Sequence, residues 1–201
     1  CRAMATEAME TGFRKVPHSW QTDAISHIVK MTLPRSHSCC APIMCVRSTG
    51  GGKSAVRDTV AHIFGGISLT ISPLLSLAAD QVGKIQSGAR QAGGAIVAKH
   101  LDEIRSSEAQ EALSRQLLAL PATTDATVYL FASPQAIVDN KIWKALIHSL
   151  LDRELLRLVC VDEAHLFAKF GLYFRTEFYR LKPVLFRRLI VPSSSQHTTM
   201  L

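Results

Sequence analysis

The sequence has no internal repeat, no low-complexity tract and no pair of cysteines at CxxC spacing. The first two absences exclude solenoid, propeller and fibrous architectures. The third, with no Cys/His run of the zinc-finger type, excludes the common structural zinc sites. Cysteines number five, an odd count that argues against a disulfide scaffold and for a reduced intracellular setting. Residues 59–79 carry no formal charge, but His62, Gly65-Gly66, Pro73 and several hydroxyl side chains interrupt them, so no membrane span is expected. Neither an initiator Met nor a signal-like segment opens the chain, and we expect a piece of a longer protein.

What is present fits one ordinary globular domain, residues 1–201, with 47% hydrophobic residues to build one sizeable core. Lys and Arg total 23 against 16 Asp and Glu, a formal charge of +7, which favours anionic partners such as nucleic acid, nucleotides or an acidic membrane surface. The excess is local. Lys169, Arg175, Arg180, Lys182, Arg187 and Arg188 face a single Glu177 across 169–188, so +5 of the +7 sits there.

Apolar β-rich runs alternate with helical patterns, the signature of a parallel sheet covered by helices on both faces. The spacing predicts strands at 43–47, 67–72, 95–99, 127–132 and 156–162. Helices are predicted at 19–31, 53–64, 74–86, 107–120, 140–151 and 175–186, with 35–42 and 193–199 as loop or tail. The expected fold class is therefore α/β, a three-layer domain with a mostly parallel central sheet.

The most specific signal is Ser48-Thr49-Gly50-Gly51-Gly52-Lys53-Ser54, between an apolar strand pattern and a helical one. Glycines let a phosphate-binding loop turn tightly and aim its N–H groups at phosphate oxygens, while the helix N-terminus adds positive partial charge. Lys53 would reach the β- and γ-phosphates and the Ser54 hydroxyl would coordinate Mg²⁺. The strict pattern asks for Gly at position 47, where this chain has Arg47. A flexible glycine turn before a helix is the bland alternative. ATP or GTP binding follows from the motif.

Farther along, the apolar run 156–161 leads into Asp162-Glu163-Ala164-His165. Beside a phosphate loop, Asp162 would hold the Mg²⁺ shell and Glu163 would polarise the attacking water as general base. His165 would sense the γ-phosphate or contact other motifs. Alone, a pair of acids after a strand is as often a cap; with the loop, it points to nucleoside triphosphate hydrolysis.

These residues resemble superfamily 2 helicases of the DEAD/DEAH type and, within them, the RecQ-like DNA helicases. Thr49 to Ser54 is similar to motif I of that family, which also tends to lack the first glycine, and Asp162 to His165 reproduces the letters of motif II. The run 71–81, with Ser72 and Pro73, looks like the family's motif Ia, and Phe131-Ala132-Ser133-Pro134-Gln135 like the next motif; both would touch the nucleic-acid backbone. The stretch 166–178 resembles the aromatic-rich loop that couples DNA binding to ATP hydrolysis, with Phe167, Phe170 and Arg175 as functional candidates. Phe174, Phe178, Leu181 and Leu185 recur at helical spacing and are expected to face the core. The family usually has a His-Asp pair where this chain has Leu172-Tyr173, and a Trp where it has Phe170. Pro17-His18-Ser19-Trp20-Gln21 resembles the motif that reads adenine, which makes Gln21 the candidate for ATP over GTP.

The resemblance implies the first RecA-like lobe of an ATP-dependent helicase, using ATP and Mg²⁺ on single-stranded or forked DNA. Such a protein would be intracellular, and nuclear in a eukaryote. The motif III region and the second lobe, which would supply an arginine finger, are expected to be missing. Nucleotide binding without unwinding is then expected of this segment. An RNA-directed DEAD/DEAH lobe and a non-catalytic binding module that kept the fold are the alternatives.

Overall fold

The computed structural model describes residues 1–13, 16–32, 43–48, 50–92, 97–121, 126–163, 180–186 and 198–200. Its centre is a sheet of five strands: β1 (Gly66–Ile71), β2 (Val97–His100), β3 (Thr127–Ala132), β4 (Leu156–Val161) and β5 (Thr198–Met200). They lie in the order β2-β3-β1-β4-β5, and every pair is parallel. Parallel neighbours need crossovers, and helices supply them on both faces. Helices α1 (Arg2–Phe13), α2 (Ser19–Thr32), α3 (Lys53–Phe64) and α4 (Leu75–Ala92) cover one face. The other carries α5 (Ser107–Leu118), α6 (Pro134–Asp139) and α7 (Lys141–Asp152). The expected α/β three-layer class is what the chain adopts.

Because side chains alternate along a strand, each strand feeds two cores. Ile67, Leu69 and Ile71 of β1 meet Trp143, Leu146 and Leu150 of α7, while Tyr129 and Phe131 of β3 turn the other way, towards Val56 and Val60 of α3. The pairing of β1 with β4 slips by one residue: Ile67 faces Leu156 but Ser68 faces Leu158. That bulge at Arg157 changes the parity, so Leu156 and Val159 share a face and Leu158 and Cys160 take the opposite one.

Local signals explain the helix ends. Ser106, Ser133 and Asn140 each accept a backbone N–H of the turn they cap, and Pro134 opens α6, where its missing N–H costs nothing. Five of the predicted helices and four of the strands thus appear, α3 and β3 with the expected bounds and the others with shifted ends. The strand expected at 43–47 does not form: Ile43 makes a single bridge and 44–48 carry no regular structure. Met44 and Val46 are exposed there. Thr198 and Thr199, expected in a loop or tail, instead extend the sheet through β5. Of the helix expected at 175–186, the described part is helical at Arg180 and Leu181 and forms a π turn over Lys182–Phe186, with Leu181 and Leu185 buried. Helices α1 and α6 were not anticipated. The described part of the uncharged stretch 59–79 is the end of α3, β1 and the start of α4. Among the described residues, no helix is long and apolar enough to cross a membrane.

Candidate nucleotide and nucleic-acid site

The glycine loop runs directly into α3 at Lys53. Gly50 and Gly52 adopt left-handed backbone, φ 77° and 86°, which an L side chain rarely accepts. Gly51 N donates to Ser48 O at 3.0 Å and closes the turn. A Cβ on Gly52 would lie 2.5 Å from Gln21 Nε2, so this glycine also admits the Gln21 amide. That amide is nearly fully buried. Its Oε1 accepts from His18 N at 2.8 Å and its Nε2 donates to Gly52 O at 3.1 Å, which ties the start of α2 to the loop. Together Trp20, Gln21, His18 and the three glycines line a cavity of about 510 Å³, within the size range of small-molecule sites.

Lys53 Nζ donates to the loop carbonyls of Arg47 (2.9 Å) and Ser48 (3.1 Å), so its charge is held inside the loop. Arg47 stands where the strict motif has glycine, and its guanidinium lies 4.8 Å from the centre of the Trp20 ring, a cation–π contact at the cavity wall. Neither Arg47 nor Trp20 was among the expected site residues. Ser54 Oγ accepts from Gln81 Nε2 of α4 at 3.3 Å.

Asp162 and Glu163 follow β4 at the carboxyl edge of the sheet, the edge where open α/β sheets bind ligands. Asp162 N donates to Ile71 O and so extends the pairing with β1. Glu163 N donates to Asp162 Oδ1 at 3.0 Å, and Glu163 itself is left-handed, φ 55°, a conformation a non-glycine residue adopts at a cost. Helix α3 packs on β4, and one turn beyond Lys53 the Arg57 guanidinium lies within electrostatic reach of Asp162. Burial works against the Arg57 charge, but Asp58, with Cys160 and Asp162, outweighs it and raises the pKa above the ordinary arginine value.

Ser72 with Pro73 and Ser133 with Pro134 follow the neighbouring strands β1 and β3, and Ser72 N donates to Ala132 O. Both serine side chains are buried and engaged in protein hydrogen bonds. Ser72 Oγ accepts from Leu74 N, while Ser133 Oγ accepts from Ala136 N and donates to Asp102 Oδ1. Asp102, which sequence reasoning passed over, also accepts from Ser133 N at 2.8 Å. Thr49, His165, Phe167, Phe170 and Arg175 lie outside the described residues.

Ser54 and Asp162 are hard oxygen donors of the kind that suits Mg²⁺, which is normally held by one or two protein ligands plus phosphates. No group of three or more His, Cys, Asp or Glu side chains that could hold a metal ion occurs among the described residues. The glycine cradle at Gly50 and Gly52 fits a phosphate chain, because backbone can approach there without a Cβ in the way.

A parallel sheet between two helical layers, with a glycine loop opening a helix and a strand ending in paired acids, defines a three-layer P-loop domain of the RecA-like class. No protein-family model matches the chain. Over 138 residues, 69% of this chain, it is 29% identical to the ATP-dependent DNA helicase RecQ of Haemophilus influenzae, 20% of which is covered. The Bacillus subtilis enzyme of the same name is 29% identical over 145 residues, 72% of this chain and 22% of its own length. The chain thus spans about a fifth of the curated relatives it matches. Among solved structures, the DUF1998 helicase MrfA, bound to DNA and AMPPNP, matches over 98% of this chain and 25% of its own, with TM-score 0.61 and 16% identity. Sequence and fold together bear out the resemblance drawn from the motifs: the chain is similar to RecQ-type ATP-dependent DNA helicases over about 70% of its length, and in fold it is similar to part of a helicase.

Proposed function

We propose that residues 1–201 form the ATP-binding and hydrolysing lobe of an ATP-dependent DNA helicase. In a longer protein this lobe would couple hydrolysis to movement along single-stranded DNA and to duplex unwinding. The observation that carries the reading is the meeting of α3, which starts at Lys53, with β4, which ends at Val161 and leads into Asp162-Glu163. Gln21 would select adenine, and Gly50 to Gly52, with Thr49, would seat the phosphates. Lys53 would leave its loop carbonyls for the β- and γ-phosphate oxygens. Ser54 and Asp162 would hold Mg²⁺, which when bound supplies neutralisation of charge on those oxygens. Glu163 would orient and deprotonate the attacking water, and His165 would report the state of the γ-phosphate.

Ser72, Pro73, Ser133 and Pro134 would present the carboxyl edge of the sheet to the DNA backbone, with the Ser72 O–H as the donor for a phosphate oxygen, since that hydroxyl accepts from Leu74 N while the Ser133 hydroxyl already donates to Asp102. Phe167, Phe170 and Arg175 would stack on and neutralise a single strand. A second RecA-like lobe is the expected partner, because the developing γ-phosphate charge needs an arginine finger, whose loss costs about 10³–10⁵ in rate.

The test is calorimetric titration of the chain with ATP and Mg²⁺, then hydrolysis with and without single-stranded DNA or RNA. We expect nucleotide binding that Lys53→Ala abolishes, weak turnover that Glu163→Gln abolishes, stimulation by DNA above RNA, and no strand displacement. A folded protein that binds no nucleotide would overturn the reading.

A further inference from the structure

A chain of hydrogen bonds runs from a buried cation to the hydroxyl beside the phosphate loop. Arg57 is almost wholly buried, its guanidinium 5.0 Å from the centre of the Phe131 ring, with Nε donating to Asp58 Oδ1 at 2.8 Å. It also donates to Gln81 Oε1. A guanidinium has only donors, so the oxygen end of the Gln81 amide must face it and the nitrogen end must point away. The assignment of the two ends is forced by chemistry. Pointing away brings Nε2 to Ser54 Oγ at 3.3 Å, across 27 residues of sequence.

A serine hydroxyl rotates freely unless something holds it, and it offers one donor and two acceptor sites. With the Gln81 amide on one acceptor site, the rotation of Ser54 is restrained, and one lone pair and the O–H are left for other partners. We propose that Gln81 is a positioning residue, oriented by the buried Arg57, that presets the Ser54 hydroxyl for a divalent cation bound with a nucleoside triphosphate. The inference rests on the reading of Ser54 as a Mg²⁺ ligand and deepens it. A purely architectural role, in which Gln81 only joins α4 to α3, would leave the metal requirement unchanged.

The experiment measures binding of a fluorescent ATP analogue to the 201-residue chain, in EDTA and across a series of magnesium concentrations. Wild type, Gln81→Met, Ser54→Ala and the double variant are compared, with circular dichroism confirming each fold. Gln81 is half-buried within α4; Gln81→Leu stands in should Gln81→Met lose its cooperative melt. Loss of one restrained hydrogen bond should raise the magnesium concentration for half-maximal affinity by about three- to tenfold. Affinity in EDTA should be unchanged, and in the Ser54→Ala background Gln81→Met should add nothing further. An equal shift in both backgrounds, or no shift, overturns the positioning role. Wild type that binds no analogue in either condition overturns the ATP reading itself and this inference with it.

Discussion

Gly52→Ala tests the phosphate loop and the adenine-side amide at once. At φ 86° the new side chain pays the left-handed penalty, about 1–2 kcal/mol. Alanine also has a less flexible unfolded chain than glycine, which returns about 0.4–1 kcal/mol. The backbone part therefore comes to about 1 kcal/mol. The Cβ would then sit 2.5 Å from Gln21 Nε2. That amide must move, breaking its bond to Gly52 O and straining the one from His18 N. At about 1 kcal/mol for each bond the total reaches about 2–3 kcal/mol. Gly50→Ala isolates the backbone part, because its φ is 77° and a Cβ there meets nothing within 4 Å. Urea denaturation of both variants should give losses of about 1 kcal/mol for Gly50→Ala and about 2–3 kcal/mol for Gly52→Ala. In parallel, only Gly52→Ala should reduce the preference for an adenine over a guanine nucleotide. Equal losses, or an unchanged preference, would refute the argument that Gly52 is there to admit Gln21.

Two further tests probe the scaffold. Asn140 Oδ1 accepts from Ile142 N and Trp143 N, and its Nδ2 donates to Gln110, so Asn140→Ala should cost about 1–2 kcal/mol and Asn140→Asp distinctly less. Denaturation midpoints at constant slope check this, and equal losses for the two variants would remove the cap from the account. Burial pushes the Cys160 thiol up to about 12, with Arg57 lowering and Asp162 and Asp58 raising it, so the folded pKa lies above that of an unfolded thiol. Its contribution to stability is complete below the unfolded value and is lost as pH rises through that window towards about 12. At about pH 8, iodoacetamide should therefore modify exposed Cys1 and half-buried Cys45 before Cys160. Mass spectrometry of the folded protein showing Cys160 alkylated first would contradict the burial.

Much of the fold was legible because local signals agreed with one another. Gly-Lys-Ser before an amphipathic run gave α3 its ends, and the β-rich run at 127–132 is β3 residue for residue. What escaped was set by neighbours. The run at 43–47 is apolar as a buried strand should be, yet a strand exists only where a partner edge accepts its bonds, and no local pattern says which edges are taken. The bulge at Arg157 is a matter of register between β1 and β4, invisible within either run. Helix α1 buries only Ala5 and Met9, too sparse a stripe to mark a period, and the six residues of α6 are too few.

The candidate site divides along the same line. Its motif residues could be named because each sits in a short contiguous pattern whose chemistry is local: glycines that turn, a lysine and serine that follow, two acids that end a strand. Arg57 and Arg47 belong to no such pattern, and Trp20 and Gln81, although inside runs that resemble motifs, were given no role there, since each acts on a residue distant in sequence or across a cavity. Arg57 shows why composition alone misleads here. An arginine on a helix is ordinarily a solvated charge, and its place in the charge count suggested no more than that. Three neighbours make it tolerable in the core: the Asp58 carboxylate, the Phe131 ring and the Gln81 amide. The same contacts that offset the burial of the guanidinium also fix the amide that reaches Ser54. A buried polar network that is fully satisfied is rigid, and rigidity beside a phosphate loop is what a preset ligand requires.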